Sequence, residues 1–163
     1  MKLDLTRHAP PGINMEAEKA LFFWGNLLSC GGAFVFFRRY DYHLQFIAKT
    51  NDLTEIFPGA IMEDFAVLID RCFIGFGVVA LCMVFLIGYH YWYHWQDSRS
   101  IYLMRRLPKQ WELHRRCVVL PLIAIILSAC IAFLLLLLLY AFYMNKTPAQ
   151  CITPGQWQKI WSV

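Results

Sequence analysis

The chain has 163 residues, 59% of them hydrophobic and 16% charged, with a mean hydropathy of +0.46. Water-soluble domains carry about half apolar and about a quarter charged residues, so this composition belongs to a membrane protein. The net charge of +4 does not indicate nucleic-acid binding, because the cations gather beside apolar segments instead of forming a basic domain interleaved with aromatics.

The N-terminal segment 1–19 lacks the succession of basic region, apolar region and small-residue cleavage site, so no removable signal peptide is expected and the first span serves as its own insertion signal. That span is read over 20–37 (ALFFWGNLLSCGGAFVFF), with Asn26, Ser29 and three glycines softening it. Asn14 supplies an N-cap, and Glu16 and Glu18 an acidic first turn, for a helix that begins near Met15 and continues inward. Segment 38–66 follows as an external loop, long enough for a small ordered cap and punctuated by the turn Phe57-Pro58-Gly59.

The second span is read over 67–95. Its centre, CFIGFGVVALCMVFLIG, is free of charge, and Tyr89, Tyr91, Trp92, Tyr93 and Trp95 form an interfacial belt. Asp70 and Arg71 open it. At that edge an ion pair or snorkelling satisfies both; the functional alternative makes Asp64, Asp70 and Arg71 an outer gate or docking surface. His90 and His94 share a helix face at i, i+4, a spacing open to a metal or haem, but their aromatic surroundings read as interfacial, and no metal site or cofactor is expected. The third span covers 117–144, with an unbroken run from Leu134 to Leu139 and Pro121 expected in its first turns, where a missing backbone donor matters little.

An external tail, 145–163, can seat Trp157 and Trp161 at the headgroup level. The six cysteines show neither CxxC pairs nor metal spacing and read as small core residues, with Cys151 in the tail as a free thiol or an intermolecular disulfide. Gly25, Gly31, Gly32, Gly75 and Gly77 read as helix-packing positions.

Between the second and third spans lies the polar segment 96–116, which holds six of the fifteen Lys and Arg residues. Counting cations by side, Lys2, Arg7, Lys19 and these six stand against Arg38, Arg39, Lys49, Arg71, Lys146 and Lys159. The excess puts the N-terminus and this loop in the cytoplasm and the C-terminus outside. Within the loop Ile101, Met104 and Leu107 recur every three residues and Leu103 widens the stripe, while Arg99, Arg105 and Arg106 face elsewhere. That pattern predicts a short amphipathic helix capped by Asp97 or Ser98 and limited by Pro108. The expected fold is therefore all-α: three transmembrane helices with a short cytoplasmic amphipathic helix between the second and third. On charge pattern alone such a helix can simply bind anionic headgroups, at about 1 kcal/mol per cation.

The run Ser100-Ile101-Tyr102-Leu103-Met104-Arg105-Arg106-Leu107-Pro108, followed by Lys109-Gln110-Trp111-Glu112-Leu113, resembles the first cytoplasmic loop of type 2 export-class ABC transporter permeases. There a short leucine-rich helix ends in a Leu-Pro or similar step, and a second helix rises into the next span. The resemblance implies that residues 101–108 dock on a separate ATPase subunit. The chain has no GxxxxGK[ST] segment, so ATP chemistry falls to that other polypeptide. Full permeases of the class have six spans, so the resemblance further implies a half-permease or accessory chain, completed by a second membrane subunit or by homo-oligomerisation, in a bacterial plasma membrane. The residues also leave open a membrane anchor or assembly subunit of a redox or other complex, and a free-standing regulatory membrane protein. None of these readings makes the chain an enzyme.

Overall fold

The computed structural model describes residues 15–47, 60–96 and 111–161. The described residues are helical, apart from turns and short extended stretches: α1 (Met15–Cys30), α2 (Gly32–Ile47), α3 (Phe65–Leu68), α4 (Ile74–Gln96), α5 (Trp111–Lys146), a 3-10 turn (Ala149–Cys151) and α6 (Gln156–Lys159). Three stretches are long and apolar enough to cross a bilayer: Glu16–Ile47, Ile74–Trp92 and Cys117–Lys146. Their faces carry exposed Leu28, Phe34, Phe85 and Leu138, as helices solvated by lipid require.

The first span differs from its sequence reading in length and continuity. Helix α1 runs from Met15, the first described residue, and the apolar stretch continues to Ile47, with Gly31 as a joint between α1 and α2. The Gly31 amide donates to the Leu28 carbonyl and the Phe34 amide to the Gly31 carbonyl, both at 3.0 Å, so the joint keeps its backbone bonded. Consequently Arg38 and Arg39 lie within a helix. The Arg39 guanidinium donates to the Val67 carbonyl at 3.0 Å, which also accepts from the Asp70 amide, and to the Asp70 carbonyl at 3.3 Å, binding the turn where α3 ends.

The second span starts later than hydropathy alone predicts. Val67 belongs to the four-residue α3, a turn follows, and α4 begins at Ile74. Arg71 causes the break: its φ of 67° is left-handed, a region unfavourable to a non-glycine residue and incompatible with continuing a right-handed helix. The third span shows the opposite departure, because α5 is already helical at Trp111, before the apolar run. Pro121 is thus interior to a 36-residue helix and not in its first turns.

Contacts divide the chain into two compact units, Met1–Leu27 with Phe76–Cys130 and Leu28–Gly75 with Ile131–Val163. The second has an aromatic core. Phe36, Phe65 and Tyr143 are fully buried, Phe36 meets Phe65 edge to face at 5.8 Å, and Phe65 meets Tyr140 at 5.3 Å. The tail is strapped onto segment 60–65: the Met62 amide donates to the Cys151 carbonyl at 2.9 Å, and the Gln156 side-chain oxygen accepts from the Phe65 amide at 2.8 Å. Cys151 is free and buried. Trp157 packs on Tyr140 at 5.2 Å, whereas Trp161 stays exposed. The two tryptophans proposed as a headgroup pair therefore have different surroundings.

In the first unit the polar residues of the spans find each other. The Ser128 hydroxyl donates to the Asn26 side-chain oxygen at 2.6 Å, and the Asn26 amide donates to the Phe22 carbonyl at 2.8 Å. Both side chains are buried. An interhelical bond of this kind contributes about 0.6 to 2 kcal/mol in a membrane.

Candidate functional site: an imidazole clasp on three helices

A proline inside a helix leaves the carbonyl four residues earlier without its donor. In α5 that acceptor is Cys117, whose side chain is fully buried. An orphan carbonyl in an apolar interior costs about 1–3 kcal/mol unless another donor reaches it. The donor comes from α4: His90 Nδ1 donates to the Cys117 carbonyl at 3.2 Å. Its other ring nitrogen, Nε2, lies 2.8 Å from Glu18 Oε1 on α1. One imidazole with no solvent exposure thus joins three helices, against a carboxylate that is itself 17% exposed.

Read from the sequence as interfacial together with His94, His90 has partners on both ring nitrogens that spacing does not reveal. No carboxylate shares its helical turn; the partner is Glu18, 72 positions away in sequence. The side chain of His94 lies outside the described set. Both His90 nitrogens are engaged, so coordinating a metal or haem there would require breaking one of these links. Among the described residues no group of three or more His, Cys, Asp or Glu side chains is placed to hold a metal.

A double-mutant cycle tests the causal link between the proline and the histidine. Pro121→Ala supplies a backbone donor to Cys117, so His90→Gln should be less destabilising in that background than in the wild type, with a coupling of about 1 kcal/mol. Thermal unfolding of the four proteins in one detergent measures it, and additive effects would separate the two residues.

The expected outer gate takes a different form. Asp64 Oδ1 accepts from the Thr153 hydroxyl at 2.7 Å, Gln156 Nε2 at 3.0 Å and Lys159 Nζ at 2.7 Å. The bond from Lys159 first, then that from Thr153, holds its carboxyl below the ordinary carboxylate pKa. Asp64 therefore fastens the tail, while Asp70 and Arg71 form a loose, exposed pair at 3.7 Å. Nearby, the His43 imidazole contacts the Glu63 carboxylate, and the Tyr143 hydroxyl donates to the Glu63 carbonyl at 3.0 Å.

The predicted docking residues Ile101, Tyr102, Leu103, Met104, Arg105, Arg106, Leu107 and Pro108 lie outside the described residues. The helices on either side are described, α4 as far as Gln96 and α5 from Trp111. The clasp pins this pair of helices to α1 at His90 and Cys117. Pro121 was the sequence signal that could have revealed it, since a proline interior to a helix demands a foreign donor. The chain matches no protein-family model, no curated protein and no solved structure.

Proposed function

We propose that this three-span chain is the membrane subunit of an ABC-type export complex, a half-permease or accessory chain whose cytoplasmic loop docks on a separate ATPase subunit. The observation carrying the reading is that α5 is already helical at Trp111, the first described residue after the loop, and continues without interruption into the third span. In the resembling permeases a second helix rises from the loop in the same way. A continuous helix is stiff enough to pass a push at its cytoplasmic end into the bilayer.

In this reading Ile101, Leu103, Met104 and Leu107 fill an apolar groove on the ATPase, Tyr102 flanks them, and Arg105 and Arg106 pair with acidic groups on its rim. Pro108 sets the angle to α5. A second membrane subunit or a second copy of this chain completes the pathway, the N-terminus faces the cytoplasm of a bacterial cell, and the C-terminus lies outside.

The docking claim has a direct test. Leu103→Asp combined with Leu107→Asp should abolish co-purification of the ATPase from native membranes while helical content and yield stay unchanged; retained co-purification would overturn it. A haem-anchoring role is disfavoured at His90, where a carbonyl and a carboxylate already occupy both ring nitrogens.

A further inference from the structure

The protons in the His90 clasp can be counted. The Cys117 carbonyl only accepts, so Nδ1 must carry a hydrogen. The contact between Nε2 and Glu18 then needs a second one, either on Nε2 facing a carboxylate or on the carboxyl facing a bare nitrogen. Both descriptions place two protons on the imidazole–carboxylate pair. With a single proton, one link necessarily becomes two lone pairs facing each other: Nε2 against the carboxylate, or Nδ1 against the carbonyl.

We propose that His90, Glu18 and the Cys117 carbonyl form a proton-dependent clasp, which ties the α4–α5 hairpin to α1 while the pair holds two protons and opens on one side when it holds one. The side chains are placed for such a role. His90 is wholly buried, so water does not readily replace a lost partner, whereas Glu18 retains some exposure through which a proton can come and go. Pro121 keeps the Cys117 carbonyl dependent on the imidazole. Among the described residues, the titratable groups facing or adjoining the pair are the Cys117 thiol on α5, Tyr89 and Tyr91 on α4, and, on α1, Lys19 next to Glu18 and Glu16 in the same first turn.

The direction follows from the count. The closed clasp binds one proton more than a neutral imidazole beside a carboxylate, so raising the pH favours the open form. As a control on ATPase docking the device rests on the coupling reading above, because residues 101–108 lie in sequence between the same two helices. As a clasp it stands without that reading.

The test uses the full chain in lipid nanodiscs with 15N-labelled histidine, the His90 signal being identified by its loss in His90→Gln. Both ring nitrogens should report N–H at the acidic end of a series from about pH 5 to 9, the range across which histidine switches ordinarily operate. At the basic end one should report a lone pair. Corrected for intrinsic rates, and with the lone pair on Nδ1, amide exchange in α5 around Cys117 should accelerate about tenfold over the same interval, the effect of losing the bond from a charged imidazolium to the Cys117 carbonyl. Glu18→Gln provides the second arm: a carboxamide can donate or accept, so a neutral imidazole satisfies both links and the exchange rate becomes independent of pH. A single unchanging protonation state of wild-type His90 across the series would overturn the clasp, as would pH-dependent protection that persists in Glu18→Gln. The wild-type series decides even if the variant misfolds. Failure to capture the ATPase at any pH, with His90 titrating as described, overturns docking and leaves the clasp standing.

Discussion

Gly32→Ala should be among the most damaging single-methyl additions in the chain. Gly32 opens α2 where the backbone of Cys72 lies against it: a Cβ there would overlap the Cys72 carbonyl oxygen and come within 3.1 Å of the carbonyl carbon and 3.4 Å of Cα. These are backbone atoms of the turn between α3 and α4, and that turn is already committed by the left-handed Arg71 and by the bonds from Arg39 to Val67 and Asp70. Relief would require moving a whole turn, not a side-chain tip. Overpacking of this kind costs about 1–3 kcal/mol. The expected result is a clear fall in the thermal unfolding midpoint in detergent. Gly77→Ala is the matched control, because its added Cβ meets nothing within 4 Å. Equal behaviour of the two variants would refute the close approach.

The second large effect is expected at Asp64. Asp64→Ala removes the common acceptor of Thr153, Gln156 and Lys159, and leaves the Gln156 side chain that caps Phe65 held only through Thr153. Leaving several donors short of an acceptor costs about 1–3 kcal/mol, toward the lower end here because the ion pair is about one-third exposed on each side. Tryptic cleavage after Lys159 should quicken, and the amides of Met62 and Phe65 should exchange faster. The pH dependence has a definite sign. The folded-state pKa of Asp64 is depressed, so its contribution is fully present above the ordinary carboxylate pKa and is lost as the pH falls through the lower folded value. Acidification should therefore loosen the wild-type tail, while Asp64→Ala should be loose at neutral pH and change little on acidification. A tail equally resistant in both proteins would remove Asp64 from this role.

Hydropathy and aromatic belts were enough to locate three stretches able to cross a membrane, because satisfying backbone groups in lipid forces long apolar runs into helices. They placed the helix ends less well. Nothing in a hydropathy profile distinguishes α3 from α4, since the break between them is a backbone torsion at Arg71 and not a change in polarity. Trp111–Arg116 is polar enough to read as loop, yet it is the first part of α5. The docking pattern at 101–108 remains a matter of spacing and resemblance, since those residues lie outside the described ones.

The individual polar residues follow the same division. Asn26, Ser128, Glu18, His90 and Asp64 each stand out in the sequence as groups that cost free energy in an apolar setting, so the demand for partners can be read locally. Which partner answers cannot. Glu18 with His90, Ser128 with Asn26, and Asp64 with Lys159 are pairs 72, 102 and 95 positions apart. A membrane span, an orphan carbonyl before a proline and a charge in need of a counter-charge are all consequences of local chemistry. Their resolution depends on how long helices are packed side by side, because in lipid the pairing of polar groups between helices chooses among many arrangements of nearly equal apolar contact.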